Sequence, residues 1–281
     1  MNNQFTMTGL MGWPVSHSRS PAIHNHWIEQ YDLHGAYGLF PVEPTQLRTA
    51  INGLRALKLA GCNLTIPHKV EAMKHMDWVD PLAIRMGAIN TIVVQCDGAL
   101  HGFNTDGFGF MASLKAQCSN WNPSSAPIVV LGAGGAARAI IVSLIDAGAT
   151  EIRLLNRTRN KADELCNEFP AFIKVYDWTE RNDTLNGCAL LVNTTSLGMS
   201  GQADLDIDLN QIPINALVCD VVYNPLETAL LAAARQRGNT TVNGLGMLLH
   251  QARPAFNKWF GVMPEVTPSL IEIASRNLQS R

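Results

Sequence analysis

Charge is scarce in this chain. Asp, Glu, Lys and Arg make up 16% of its 281 residues, and the formal net charge is −2. No block of Lys and Arg and no basic stripe occurs, which sets nucleic acid aside as a main partner. No apolar run approaches the roughly 18 residues of a membrane span. The opening segment MNNQFTMTGLMGW lacks the basic start and long apolar core of a secretory signal. Cys62, Cys96, Cys118, Cys166, Cys188 and Cys219 form no C-x-x-C pair and no Cys/His cluster, so neither a disulfide framework nor a metal site is expected. Some of these thiols sit in apolar segments such as LVCD at 217–220, where cysteine behaves as a small hydrophobe. Reduced thiols and a cytoplasmic location are the expectation. Internal repeats and low-complexity tracts are missing too. What remains, with 47% hydrophobic residues, is the composition of an ordinary globular enzyme long enough for two domains.

The most informative segment that is present is IVVLGAGGAA at 128–137. Four apolar residues make a short buried strand, the glycines turn the backbone, and residues 138–147 continue as a helix. Gly132, Gly134 and Ala137 fill a G-x-G-x-x-A pattern, whose bare N–H groups at a helix start cradle a pyrophosphate. A second strand at 151–155 ends where an adenosine ribose would lie. An NAD site places Asp or Glu there for the 2′-hydroxyl. This chain has Asn156, Arg157 and Thr158 instead, with Lys161 one turn on. Cations and a hydroxyl at that place suit a 2′-phosphate, so the pattern points to NADP.

The rest of the chain alternates strands and helices. Before the glycine segment, strands are expected at 8–12, 36–42 and 62–66, and helices at 21–30, 45–57 and 70–75. A hairpin over 88–103 turns at Cys96-Asp97-Gly98. This predicts a largely parallel sheet with an antiparallel edge. After the polar loop 119–127, strands at 128–131, 151–155, 172–176, 189–193, 216–222 and 240–242 predict a doubly wound sheet. Residues 106–117 read as a linking helix, with further helices at 247–252 and 269–278 packing back on the first domain. The expected architecture is α/β with two domains. A mostly parallel substrate domain takes 1–104 and 245–281, and a Rossmann nucleotide domain takes 105–244.

Three polar clusters stand at strand ends in the first domain. In His17-Ser18-Arg19-Ser20-Pro21 either serine could touch a small polar ligand, while Ser20 before a proline also reads as a helix cap. In Asn63-Leu64-Thr65-Ile66-Pro67-His68-Lys69, alternation puts Asn63 and Thr65 on one side and Leu64 and Ile66 toward the core. Lys69 would open the next helix, where the dipole disfavours a cation, so it is either functional or a surface lysine. In Asn104-Thr105-Asp106-Gly107, Asp106 is a helix-start charge or a partner for Lys69. Asn90 adds another polar side chain beside a strand.

Taken together, GWPVSHSRSP, NLTIPHK, GAINT, FNTDGFGF, GAGGAARA, NRTRNKA, VNTTSLGM, DVVYNPLET and NGLGMLLHQA are similar to the successive signature segments of the shikimate dehydrogenase family, in order from about Gly9 to Trp259. The resemblance implies a catalytic pair at Lys69 and Asp106. It implies a substrate shell of Ser18, Ser20, Asn63, Thr65, Asn90, Tyr223 and Gln251. It implies NADP contacts at Gly132, Gly134, Gly135, Ala136, Asn156, Arg157, Thr158 and Lys161, with Thr194, Val222, Gly244 and Met247 on the nicotinamide side. Trp13 and the pair Thr194-Thr195 depart from the usual pattern without touching the presumed chemistry.

Ketone reduction builds negative charge on oxygen, which Lys69 as ammonium could neutralise by giving a proton. Within the family, a quinate-preferring member is marked by Thr at the second serine of HSxS and an acid at the ribose. Ser20 and Arg157 point to shikimate and NADP. A sensor that had lost catalysis would lack the lysine or the glycine loop, and both are present. The expected partners are shikimate and 3-dehydroshikimate, with monomer and homodimer both open.

Overall fold

A computed structural model of the chain describes residues 5–276 and residue 278. They fall into two compact units. One runs to Asp106 and also holds Leu249–Ala274; the other is built from Gly107–Leu248.

The first unit contains β1 (Thr6–Gly12), α1 (Ser20–Gln30), β2 (Gly35–Pro41), α2 (Leu47–Ala56), β3 (Gly61–Leu64), β4 (Trp78–Val79), α3 (Pro81–Met86), β5 (Thr91–Val94) and β6 (Leu100–Phe103). Its sheet has the order β2-β1-β3-β5-β6-β4. The expected hairpin is there, but β5 lies inside the sheet, antiparallel to both β3 and β6, and the edge strand β4 is parallel to β6. The antiparallel edge is therefore corrected to an antiparallel interior strand. The consequence is geometric. Because β5 runs against β3, its start meets the end of β3, with Asn63 opposite Thr91. Because β6 returns beside it, Thr91 also faces Phe103. The segments around 63–69, 90–91 and 104–106 thus converge on one end of the sheet.

Local differences from the sequence expectations have identifiable causes. β3 stops at Leu64, and Ile66 is 76% exposed, so it does not face the core. The helices expected at 45–57 and 70–75 are a single 3-10 turn followed by α2, and a 3-10 helix at Glu71–His75. α3 carries full boundary signals: the Asp80 carboxylate accepts the Leu82 N–H at 2.8 Å, Pro81 opens the helix, and Gly87 closes it at φ 65°. β4, two residues long, shows no periodicity from which it could be read.

The second unit follows α4 (Asp106–Gln117) with β7 (Ile128–Leu131), α5 (Gly135–Asp146), β8 (Ile152–Leu155), α6 (Arg159–Glu168), β9 (Ile173–Tyr176), β10 (Leu190–Asn193), β11 (Leu217–Asp220), α7 (Ala229–Arg237) and β12 (Thr240–Val242). The strands form a wholly parallel sheet of order β12-β11-β10-β7-β8-β9. That is the doubly wound arrangement, with its switch point between β7 and β10. Alternate strand residues feed opposite faces. Ile128, Val130, Leu190 and Val192 pack with α4, α5 and α6, whereas Val129, Leu131, Leu191 and Val218 pack with α7.

The chain then returns through α8 (Gly244–Phe260) and ends its described helices with α9 (Pro268–Ser275). α8 is longer than the expected 247–252 and runs through Pro254. Ala252, Ala255, Phe256 and Trp259 make a continuous buried face across that proline, so packing overrides the local break. Phe256 and Trp259 join His24, Trp27 and Tyr37 in an aromatic cluster. Trp259 Nε1 donates to the Ile92 carbonyl at 3.1 Å. Gly61 makes that approach possible: at φ 150°, an added Cβ would stand 2.0 Å from the Ile92 carbonyl oxygen and 2.4 Å from Trp259 Nε1. Gly61→Ala should therefore cost about 3 kcal/mol, read as a lowered denaturation midpoint.

Candidate active site

At the converging end of the first sheet, polar side chains form one connected chain. Ser18 Oγ donates to Ser20 Oγ at 3.2 Å, and the Ser20 N–H donates to Ser18 Oγ, so Ser18 satisfies the start of α1 while Ser20 is its first residue. The cap reading of Ser20 is thereby corrected. Ser20 lies beside the Tyr37 hydroxyl, whose ionisation burial pushes well above its ordinary range. Tyr37 donates to Asn63 Oδ1 at 2.8 Å, and Asn63 Nδ2 donates to the Asn90 carbonyl at 3.1 Å and to Thr91 Oγ1 at 3.0 Å.

Asn90 is the hub. Its Oδ1 accepts the Thr105 N–H at 3.0 Å and the Thr91 hydroxyl at 2.9 Å. Its Nδ2 stands 2.9 Å from Thr105 Oγ1, 2.8 Å from Asp106 Oδ1 and 2.9 Å from Gln251 Oε1. Two amide hydrogens face three acceptors, which leaves acceptor capacity for an incoming hydroxyl. Asp106 is further held by its own N–H, which donates to Asn104 Oδ1 at 2.9 Å. Its second oxygen, Oδ2, accepts Lys69 Nζ at 2.7 Å. The carboxylate side chain is 7% exposed and the lysine side chain 27%. At about 4 Å and an effective dielectric near 20, two unit charges attract by about 4 kcal/mol, which keeps the ammonium in place with one face open.

Both readings of Asp106 hold, since it opens α4 and pairs with Lys69. The dipole argument for Lys69 is corrected. It lies in the turn before the 3-10 helix at Glu71–His75, and the Asp106 carboxylate is what holds it. The turn itself is pinned by buried His68, whose Nε2 lies 2.7 Å from the Val42 carbonyl oxygen. Thr65 stands beside this chain of bonds, its methyl against Gly12. Tyr223 belongs to the other unit, half-buried after β11. Tyr37 and Thr91 join the network although the sequence did not single them out. Their signals were present but mute, a tyrosine and a threonine inside ordinary strands.

In the second unit, Gly132 has φ 107°, and a Cβ there would meet Thr194 Oγ1 at 2.5 Å. Around Gly134 and Gly135 an added Cβ would meet nothing within 4 Å, and α5 starts at Gly135 without a side-chain cap. The N–H groups of Gly135, Ala136 and Ala137 open α5, where the helix itself supplies no acceptor. Asn156 braces this loop: its Oδ1 accepts the Ala133 N–H at 3.2 Å, and its Nδ2 donates to the Thr158 carbonyl at 2.7 Å. Thr158 precedes α6 with its side chain making no cap bond. Arg159 is tied to Asp177 and Asp163. Arg157 and Lys161 are exposed and form no ion pair among the described residues. Thr194 Oγ1 donates to the Leu131 carbonyl at 2.6 Å, and the Gly244 N–H donates to the Val222 carbonyl at 3.1 Å. Met247 is half-buried against the core.

An anion cradle on a doubly wound sheet, in one chain with a lysine–aspartate pair ringed by hydroxyls and amides, is the make-up of a dinucleotide-dependent oxidoreductase. Comparison with known proteins narrows that class. The chain matches the family descriptions "Shikimate dehydrogenase substrate binding domain" over residues 10–92, "Shikimate / quinate 5-dehydrogenase" over 114–199 and "Shikimate 5'-dehydrogenase C-terminal domain" over 244–268. A shikimate dehydrogenase (NADP(+)) of Paramagnetospirillum magneticum is 52% identical over 270 residues, 96% of this chain and 98% of that protein. The chain belongs to the shikimate dehydrogenase family. A crystal structure of the Thermus thermophilus shikimate 5-dehydrogenase in complex with NADP(H) and shikimate matches with a TM-score of 0.86 and 35% identity, covering 98% of this chain and 100% of that one. The 5-ketofructose reductase of a Gluconobacter strain matches with a TM-score of 0.89 and 31% identity, over 97% of this chain and 98% of that one. Among the described residues no helix is long and apolar enough to cross a membrane, and no His, Cys, Asp and Glu group could hold a metal.

Tyr37→Phe would leave Asn63 Oδ1 buried without its donor. It should cost about 1–2 kcal/mol of stability, checked by chemical denaturation.

Proposed function

We propose that this chain catalyses the reversible NADPH-dependent reduction of 3-dehydroshikimate to shikimate, with Lys69 as general acid/base paired with Asp106. The observation that carries the reading is the 2.7 Å contact between Lys69 Nζ and Asp106 Oδ2, with Asn90 on the other carboxylate oxygen. Aspartate holds the ammonium and aims it, and the ammonium gives its proton to the oxygen on which charge develops. Water then restores the proton through the exposed face of Lys69. In the reverse direction the neutral amine accepts the hydroxyl proton.

Ser18, Ser20, Asn63, Thr65, Asn90, Gln251 and Tyr223 bind the carboxylate and ring hydroxyls. Neutral donors and acceptors suit a small polyhydroxylated acid, because they fix its orientation without burying a second cation. Bound NADPH supplies the hydride. Its residues are Gly132, Gly134, Gly135 and Ala136 at the pyrophosphate, and Asn156, Arg157, Thr158 and Lys161 at the adenosine end. Thr194, Val222, Gly244 and Met247 line the nicotinamide side. The open space at Gly134 and Gly135 and the unpaired Arg157 and Lys161 support this assignment. Domain limits of 1–104 with 245–281, and 105–244, accompany it. So do a place in aromatic amino acid (chorismate) biosynthesis and a cytoplasmic setting, which the six free cysteines suit.

The first test is oxidation of shikimate with NADP, set against oxidation of quinate, use of NAD, and reduction of 5-ketofructose with NADPH. Preference for shikimate and NADP is expected, and a preference for any of the other three overturns the corresponding assignment. Lys69→Met should lower kcat by about 10²–10⁴ while the melting temperature stays near wild type. Arg157→Ala should raise KM for NADP about tenfold and leave KM for NAD nearly unchanged.

A further inference from the structure

Asp220, the last residue of β11, is a buried carboxylate that makes no ion pair among the described residues. Its oxygens take three hydrogen bonds. Oδ1 accepts from the Val222 N–H and from Asn193 Nδ2, both at 3.0 Å, and Oδ2 accepts the Thr228 hydroxyl at 2.8 Å. The donors stand at the carboxyl edge of the sheet, one ending β10, one in the turn after β11 and one capping α7. Asn193 ends β10, and its Oδ1 receives the Thr195 N–H at 3.0 Å and the Thr195 hydroxyl at 2.7 Å. Its amide also reaches the Leu197 carbonyl at 3.1 Å, closing the turn that contains Thr194. The Val222 carbonyl accepts the Gly244 N–H, so the start of α8 is attached as well.

Burying an anion without a counter-charge is costly, and an apolar residue would fill this place more cheaply. The geometry points to a positional demand. In an open α/β sheet the ligand lies outside the carboxyl ends of the strands, across the switch point. The loops after β7 and β8 form one half of that edge and carry the glycine cradle and Arg157. The loops after β10 and β11 form the other half, and Asp220 ties them together. We infer that Asp220 is a positioning residue for the nicotinamide half of the dinucleotide, setting Thr194, Val222 and Gly244 through its three hydrogen bonds. The inference rests on the dinucleotide reading above.

Ionisation gives it a signature. Burial pushes the Asp220 carboxyl up to about 6, against the pull of its three donors. The groups facing it are Asn193 from β10, Val222 from its own loop and Thr228 from the start of α7. Cys219 beside it and Cys118 have thiols that burial pushes up, so they stay neutral. No histidine occurs between residues 107 and 248. A protonated Asp220 loses the charge that strengthens all three bonds, and a hydrogen on Oδ2 turns the Thr228 hydroxyl from donor to acceptor. Affinity for the nicotinamide half should then fall as pH drops through the Asp220 range.

The test compares dissociation constants of NADPH and of 2′-phospho-ADP-ribose, which shares the adenosine end and the pyrophosphate diester and lacks nicotinamide. Both are measured on the whole enzyme from about pH 7.5 to about pH 5. The 2′-phosphate titrates in both ligands, so it cancels in their ratio. The wild-type ratio should rise about tenfold in disfavour of NADPH at the acid end. Asp220→Asn should show the raised ratio already at neutral pH and no pH dependence. A flat wild-type ratio overturns the inference without any variant. Equal weakening of both ligands in Asp220→Asn also overturns it, since that marks a general structural role. Failure of the wild type to bind either ligand overturns the dinucleotide reading itself.

Discussion

The side-chain amide of Asn90 is where the first unit's chemistry is held together. It touches Thr105, Asp106 and Gln251 through its nitrogen, and Thr91 and the Thr105 backbone through its oxygen. Those partners come from β5, from the start of α4 and from α8, elements far apart along the chain. They can meet at one amide because β5 runs antiparallel between β3 and β6. A wholly parallel sheet would send the start of β5 to the opposite rim, away from Asn63 and Lys69. The interior reversal of one strand is therefore the constraint on which the lysine–aspartate pair depends.

The second unit meets its constraint differently. All its strands run one way, so every loop at the carboxyl edge is delivered by topology alone. What the side chains add is bracing. Asn156 holds the glycine turn to the end of β8, and Asn193 and Asp220 hold the turns after β10 and β11. Charge is used sparingly. Arg159 is spent on Asp177 and Asp163, while Arg157 and Lys161 are left without an acidic partner among the described residues. In a chain with so few charged residues, unpaired cations next to an open helix start are informative. Of these bracing residues Asn193 and Asp220 are buried, and the cost of burying them is offset by their hydrogen bonds.

Much of this could be read in advance. The glycine turn, the missing acid after β8 and the ordered family-like segments placed the nucleotide strands and most of the polar cluster by number. Errors arose where local pattern and tertiary packing disagree. Alternation sent Ile66 inward, but β3 had already ended, and the residue stands in solvent. The helix read at 247–252 is too short, because the aromatic face of α8 carries it on through Pro254. Lys69 was weighed by a helix dipole that is absent from its turn. Tyr37 lay in no motif, and Thr91, Asp220 and Thr228 lay inside quoted segments without a role of their own, since a residue that positions others is defined by what it touches.

The sequence by itself determined which residue types were available and in what order along the chain. It also determined the doubly wound unit, because apolar strand runs, glycine turns and helix signals are local properties of neighbouring residues. Only the tertiary structure decided that β5 lies inside its sheet, that Asn90 joins Asp106 to Gln251, and that Asp220 binds two loops at once. Strand order and side-chain convergence depend on contacts between residues distant in sequence. Their free energy comes from burial and hydrogen bonds that no local window of the chain contains.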